Sequence, residues 1–196
     1  MICGFQRSAL VNDYAHITIS TQENALAQPG QYIIINDTHP CYVMGNTQGI
    51  EIIANPLVAK FLAHEKSVKI SPLQGMALEA PEKSTFCLLI AEDDAISAAI
   101  FFLKKYRKQF QGLVLLGCAS KFPFAPCPSR IIIPHLPPEI FAAVPLLEDW
   151  GVPNRLASLS DMPGVYHGSI QTLADNWLLH YAPNAIQRII IHSLSL

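Results

Sequence analysis

The chain has 196 residues, 51% of them apolar and only 14% charged, with a net charge of −2. Such a composition buries a sizeable core in one large domain or two small ones. It excludes a nucleic-acid surface, because neither residues 1–83 nor residues 84–196 carry the basic excess that displaces counterions from a phosphate backbone.

The opening MICGFQRS lacks the charged start, apolar centre and small-residue cleavage site of a secretory leader, so the expected compartment is the cytoplasm. Five cysteines at irregular spacing then read as reduced thiols rather than a disulfide frame. Along residues 1–80 the pattern is mostly β. HITIST alternates as a half-buried strand does, QYIIIN follows a Pro29-Gly30 turn, and GIEIIA follows Gly49. PLVAKFLAHEKSV is compatible with a helical turn, with Val58, Phe61 and Leu62 on one face, and equally with a hairpin edge. SPLQGMALEAPEKS is polar and turn-rich and marks the expected junction between a domain 1–80 and a domain 81–196.

From Thr85 the rhythm changes to strand, helix, strand. TFCLLIA is a continuous apolar run suited to a central parallel strand. The run leads into DDAISAAIFFLKKYRKQ, a helix with an acidic start and Lys104, Lys105, Arg107 and Lys108 near its end, as the helix dipole favours. The longest strongly apolar stretch, Ala95 to Leu103, falls within it and is far below the roughly 20 residues that span a bilayer, so no membrane span is expected. GLVLLGC supplies a second strand. KFPFAPCPSR is a proline-rich loop, PPEIFAAVPLLEDW a helix interrupted by Pro145, and NRLASLS a strand. GSIQTLADNWLLHY is a helix with Ile170, Leu173, Ala174, Trp177 and Leu178 on one face, and QRIIIHS a final strand. Alternating strands and helices imply a parallel sheet. The fold class is therefore β plus α/β: a small antiparallel β-barrel followed by an open parallel, Rossmann-like sheet.

Four segments carry a family resemblance. AQPGQYIIIN resembles the proline-glycine-glutamine-aromatic strand that opens the flavin site of ferredoxin reductases, and SPLQGM resembles the turn that ends their flavin barrel. LLIAEDDAISAAIFFLKKYR, residues 88 to 107, lines up on their first nicotinamide-domain strand, turn and helix. SDMPGVYHGSIQTL is similar to their segment ending in an aromatic, a basic residue and glycine before a helix. Within the family the likeness is to the electron-transfer subunit of dihydroorotate dehydrogenase. The resemblance implies a flavin-binding barrel over 1–80 and a nicotinamide-type domain over 81–196. It also implies FAD or NAD(P) as cofactor where the family role is kept, and a redox protein partner. By position it assigns cofactor contacts to Tyr42, Ser71, Leu73, Ala91, Asp93 and Gly168.

Those positions also depart from the family. In PCYV, Tyr42 is kept, but Pro40 and Val43 stand for the family's arginine and hydroxyl. No arginine lies between Arg7 and Arg107 to supply the bidentate fork that a phosphate pair favours. Ser71 and Gln74 stand where the second flavin turn has glycines. At the nicotinamide turn the family's glycines fall on Ala91, Glu92, Asp93 and Ala95 and its proline on Ala98, so carboxylates replace bare backbone at the place a pyrophosphate approaches. Like charges about 4 Å apart repel by roughly 1 kcal/mol even in water. As helix caps the same residues stabilise by about 0.3–1 kcal/mol each. The chain ends in IIIHSLSL, with His192 and Ser193 in place of the family's cysteine and glycine, and no cysteine follows Cys127. An iron-sulfur cluster, which needs four thiolates, is not expected.

Other residues read as structural. Cys118, Cys127 and His135 lack the paired spacing of zinc sites, and no metal is expected. His167 and Ser169 lack a third group to orient them for nucleophilic chemistry. Trp150, Trp177, Phe101 and Phe102 fit helical core positions. The proline-rich loop 121–130, with Phe122 and Phe124, is a candidate partner surface. Two functional readings stay open: a flavin- or NAD(P)H-dependent oxidoreductase or electron-transfer subunit with altered cofactor motifs, and a non-catalytic reductase-fold protein acting as a regulatory or assembly partner.

Overall fold

The computed structural model describes residues 1–21, 26–181 and 185–194. Two compact units divide the chain. One holds Met1–Glu79, Asp94–Lys105 and Ser193–Leu196, the other Ala80–Asp93 and Tyr106–His192.

The first unit is an antiparallel barrel of β1 (Ile2–Ala9), β2 (Ala15–Ile19), β3 (Tyr32–Ile35), β4 (His39–Gly45), β5 (Ile50–Ala54) and β6 (Ser67–Lys69), in the order β3-β4-β5-β2-β1-β6. Bridges from Ile35 to Ile70 and from Tyr32 to Gln74 bring the chain after β6 back to β3 and nearly close the ring. The alternation in β2 and β5 sends Ile17, Ile19, Ile50 and Ile52 into the barrel, beside Ile33, Ile35, Cys41 and Val43. Each such aliphatic burial stabilises by about 1.5–3 kcal/mol. Strand β1 escapes a periodicity reading because only Cys3 along it is buried. The segment left open by the sequence resolves as helix α1 (Pro56–Phe61) followed by β6. Asn55 decides this: its side chain accepts the Val58 N–H, and Pro56 takes the first helical position, where no donor is needed.

The second unit carries a parallel sheet of β7 (Phe86–Glu92), β8 (Gly112–Cys118), β11 (Asn154–Ser158), β12 (Tyr166–His167) and β13 (Ile186–Ile191), ordered β12-β11-β8-β7-β13. As its apolar run requires, β7 lies inside the sheet and is buried along most of its length. Helix α4 (Ile170–His180) packs Ile170, Leu173, Ala174 and Trp177 onto Leu88, Ile90, Leu113 and Leu115. Helix α2 (Ile96–Tyr106) is buried from Ile96 to Leu103, while Lys104 and Lys105 at its basic end are exposed. Its residues through Lys105 group with the barrel unit, where Phe101 joins the core.

Three expectations change. PPEIFAAVPLLEDW is not one helix: only α3 (Pro145–Asp149) is helical, and Pro145 begins it rather than interrupting it. Upstream, Ala142–Ala143 form strand β10 and pair with β9 (Cys127–Pro128), and Val144 is extended, as the ring of the following Pro145 favours. In the proline-rich loop, Phe122 is 1% exposed and stacks on Phe124 at 5.2 Å, so it is core rather than surface. Trp150 is only half-buried, with the Arg107 guanidinium 4.9 Å above its ring. Phe101, Phe102 and Trp177 are buried.

Candidate functional site

In the barrel unit the candidate residues gather where β3 and β4 meet the turn 71–76. Tyr42 is directly opposite Tyr32 in the ladder, and the rings meet edge to face at 6.1 Å. Tyr42 is 8% exposed. Burial, the Asp94 carboxylate and Tyr32 push its phenol up, so it stays protonated at neutral pH. Neighbouring Cys41 is pushed up to about 12 by burial and by Asp94.

The turn after β6 is closed onto β3. Ser71 Oγ accepts the Ile34 N–H at 2.9 Å and donates to the Pro72 carbonyl at 2.7 Å, while Gln74 and Tyr32 exchange both backbone hydrogen bonds. Leu73 packs against the barrel core. Gly75 and Gly30 both take left-handed φ, +81° and +89°, and the two turns pack closely: a Cβ on Gly75 would meet the Gly30 carbonyl oxygen at 3.1 Å. Val43 is fully buried in the barrel core, so its side chain cannot face a ligand.

In the sheet unit Ala91, next to last in β7, is buried, and Asp93 holds the left-handed φ of +51° that glycine usually supplies. Asp93 Oδ1 accepts the Ala119 N–H at 3.0 Å, just beyond β8. Glu92 pairs with Gly117 in the sheet, and a Cβ on Gly117 would meet Ile170 at 2.8 Å, so the ends of β7 and β8 and the start of α4 come together. Gly168 donates to the Ser158 carbonyl at 2.9 Å, and Ser169 caps α4 by accepting the Thr172 N–H. Back in the barrel unit, Asp94 accepts the Ser193 hydroxyl at 2.6 Å and the Leu194 N–H at 3.1 and 3.3 Å.

The N–H groups of Ile34, Tyr32, Ala119 and Leu194 are already taken by oxygens of the chain itself. At these N–H groups a dinucleotide pyrophosphate would have to displace the chain's own oxygens. Of the barrel's cations, Lys69 pairs with Asp37 and Lys104 with Glu51, and Lys105 donates to Gln28.

Sequence reasoning missed two clusters. In the barrel unit, Glu51 sits between Lys104 at 2.9 Å and His16 at 3.7 Å, where His16 Nε2 is buried without a hydrogen-bond partner. In the sheet unit, Arg155 donates to the carbonyls of Ile140, Asn154 and Ile131, and Glu148 accepts from Ser129 Oγ, the Arg130 N–H and Asn154. Burial lowers the guanidinium's pKa, against the supporting charge of Glu148. No local motif announces either cluster, since each joins segments far apart in sequence. Cys118 donates to the Lys121 carbonyl, Cys127 lies in β9, and among the described residues no group of three His, Cys, Asp or Glu side chains could hold a metal.

The barrel and the sheet together define a ferredoxin reductase-type FAD/NAD-binding fold. No family model matches the sequence, and no curated protein matches it either. Among solved structures, an NADH-dependent reduced ferredoxin-NADP oxidoreductase is 13% identical, with a TM-score of 0.66 over 98% of this chain and 67% of its own. The ferredoxin reductase of carbazole 1,9a-dioxygenase is 15% identical, with a TM-score of 0.66 over 97% of this chain and 60% of its own. The flavohem-like FAD/NAD-binding domain of nitric oxide dioxygenase from Vibrio cholerae O1 biovar El Tor is 12% identical, with a TM-score of 0.58 over 98% of each chain. Among the described residues no helix is long and apolar enough to cross a membrane.

Proposed function

We propose that this chain is a ferredoxin reductase-like electron-transfer subunit working with a redox protein partner, in the manner of the dihydroorotate dehydrogenase subunit that its sequence resembles. The observation that carries this reading is the continuity of the reductase frame over 98% of the chain, barrel and sheet alike. The named neighbours are reductases of ferredoxin or flavin systems, and an acceptor or donor protein is the corresponding partner here. Tyr42, opposite Tyr32, offers the aromatic contact that such a site retains. Cytoplasmic residence agrees with this role.

A second reading is favoured by one specific observation. The carboxylates at the nicotinamide-type turn are engaged by the chain's own donors, which suits a reductase frame kept for regulation or assembly. An absorbance spectrum of the purified protein with an FAD titration by calorimetry separates the two. Flavin bands at near-stoichiometric occupancy, or micromolar binding, support the electron-transfer reading. A colourless protein with no heat of binding supports the assembly reading.

A further inference from the structure

We propose that His16, Glu51 and Lys104 form a proton-sensitive tie in the barrel unit, in which protonation of His16 gives the Glu51 carboxylate a second cation beside Lys104. The tie holds β2 to β5 and to the end of α2 more firmly in mildly acidic than in alkaline conditions. All three residues belong to the same compact unit. Nothing in the tie depends on which functional reading above holds.

Strand register brings the pair together. His16 lies opposite Ile53 and Thr18 opposite Glu51, so His16 and Glu51 are diagonal neighbours on one face of the β2–β5 ladder. That face is the outer one, since Ile17, Ile19, Ile50 and Ile52 fill the barrel. His16 Nε2 stands 3.7 Å from Glu51 Oε2 and is buried with no hydrogen-bond partner among the described residues. A neutral imidazole leaves this contact unmade, because Nε2 carries either a lone pair facing a carboxylate or an N–H too far from it for a hydrogen bond. Protonation puts an N–H on both ring nitrogens, and Nε2 then faces the carboxylate as a charged donor. Closing from 3.7 Å to the about 2.8 Å of a charge-assisted bond takes a small turn of a side chain that is 30% exposed.

Lys104 sets the competition. Its Nζ holds the same carboxylate oxygen at 2.9 Å, while the Thr47 N–H reaches Oε1 at 3.4 Å. Against the opposing effect of burial, Lys104, the Thr47 N–H and His16 hold the Glu51 carboxyl below its ordinary value, so it stays ionised across the range in which histidines change charge. A protonated His16 is then attracted by Glu51 and repelled by Lys104. The other neighbours of the ring add no such charge: Ser8 lies opposite it on β1, Ile53 on β5, and Tyr14 and Thr18 stand two residues away along the chain. Arg7 pairs with Ile17, on the other face of the sheet.

Nitrogen–proton correlation spectra of the His16 ring in the full chain report the ratio of protonated to neutral imidazole at a fixed pH. Glu51→Gln is expected to lower that ratio about threefold, within the range for a partly exposed pair. Lys104→Met is expected to raise it, because a nearby positive charge is gone. In urea unfolding, His16→Gln should reduce the folded-to-unfolded ratio about threefold at about pH 5.5 and by less at about pH 8. That is the sign of a histidine whose protonated form gains a partner on folding: the stability is present at low pH and lost as pH rises. An imidazole ratio unchanged in either variant would overturn the inference, as would an equal stability loss for His16→Gln at both pH values. Should Glu51→Gln fold poorly, Lys104→Met and the pH comparison decide the matter.

Discussion

The Lys104 ammonium of α2 lies 2.9 Å from the Glu51 carboxylate of β5, above the bare Cα of Gly45, where an added Cβ would come within 2.8 Å of both groups. The pair fastens the helix that follows the acidic turn to the barrel, beside the core contact of Phe101.

Burial by itself would raise the Glu51 carboxyl, but the Lys104 hydrogen bond and charge, the Thr47 N–H and His16 outweigh it and hold the group below its ordinary value. A carboxyl depressed on folding contributes stability that is present above its unfolded pKa and is lost as pH falls through the folded one. Thermal unfolding followed from about pH 5 downward is therefore expected to show a steeper loss for the wild type than for Glu51→Gln. At pH 7 Lys104→Met should cost about 0.5–1 kcal/mol, the range of a partly exposed pair. Parallel pH profiles for wild type and Glu51→Gln would show that the pair contributes nothing to acid stability.

Arg155 holds the backbone of residues 131 and 140 through two of its three carbonyl contacts, in a buried setting. Arg155→Lys cannot reproduce the guanidinium fork, and stability in urea is expected to fall by about 3 kcal/mol or more, because buried carbonyls lose their donors. Proteolysis within 129–141 should accelerate in the same variant. Unchanged cleavage there would mean that other contacts hold the segment.

Phe122 belongs to the core, so Phe122→Ala is expected to destabilise by about 3–5 kcal/mol. The solvent-facing side chain of the neighbouring segment is Ile132, 90% exposed. Ile132→Ser should leave the unfolding midpoint within about 0.5 kcal/mol of wild type, the usual range for surface changes. A large stability loss on Ile132→Ser, or a negligible one on Phe122→Ala, would contradict these placements.

Of the five thiols only Cys127 is not buried. Burial pushes Cys41 up to about 12 and Cys87 up to about 11, so both stay protonated and shielded at pH 8. Titration of the native protein with DTNB should therefore give one slow-to-moderate thiol, Cys127, since its own pKa is also raised by partial burial and by Glu148. The remaining thiols should react only on unfolding. Rapid native-state reaction of Cys3 or Cys41 would show that the barrel opens readily, and of Cys87 or Cys118 that the sheet does.

A methyl on Gly112 would fall on the Cys87 carbonyl oxygen, where β8 runs against β7. Gly112→Ala is expected to cost about 3 kcal/mol or more through backbone displacement. Equilibrium unfolding measures it, and a loss below about 1 kcal/mol would show that the two strands can separate locally.

The sequence by itself determined the elements whose signal is local. The alternation of HITIST and GIEIIA, the apolar run TFCLLIA and the single apolar face of α4 each state their burial within a few residues, and they carry the barrel-plus-sheet architecture. The substitutions at Pro40, Val43 and Asp93 were legible in the same way, as chemistry at odds with a phosphate. Only the tertiary structure decided what replaces that chemistry. Asp94 finds Ser193 at a separation of 99 residues, Glu51 finds Lys104 at 53, and Arg155 finds Ile131 at 24. No local pattern encodes such pairs, because hydrogen bonds and ion pairs depend on distance in space, and folding brings these donors and acceptors together only after the strands have found their order.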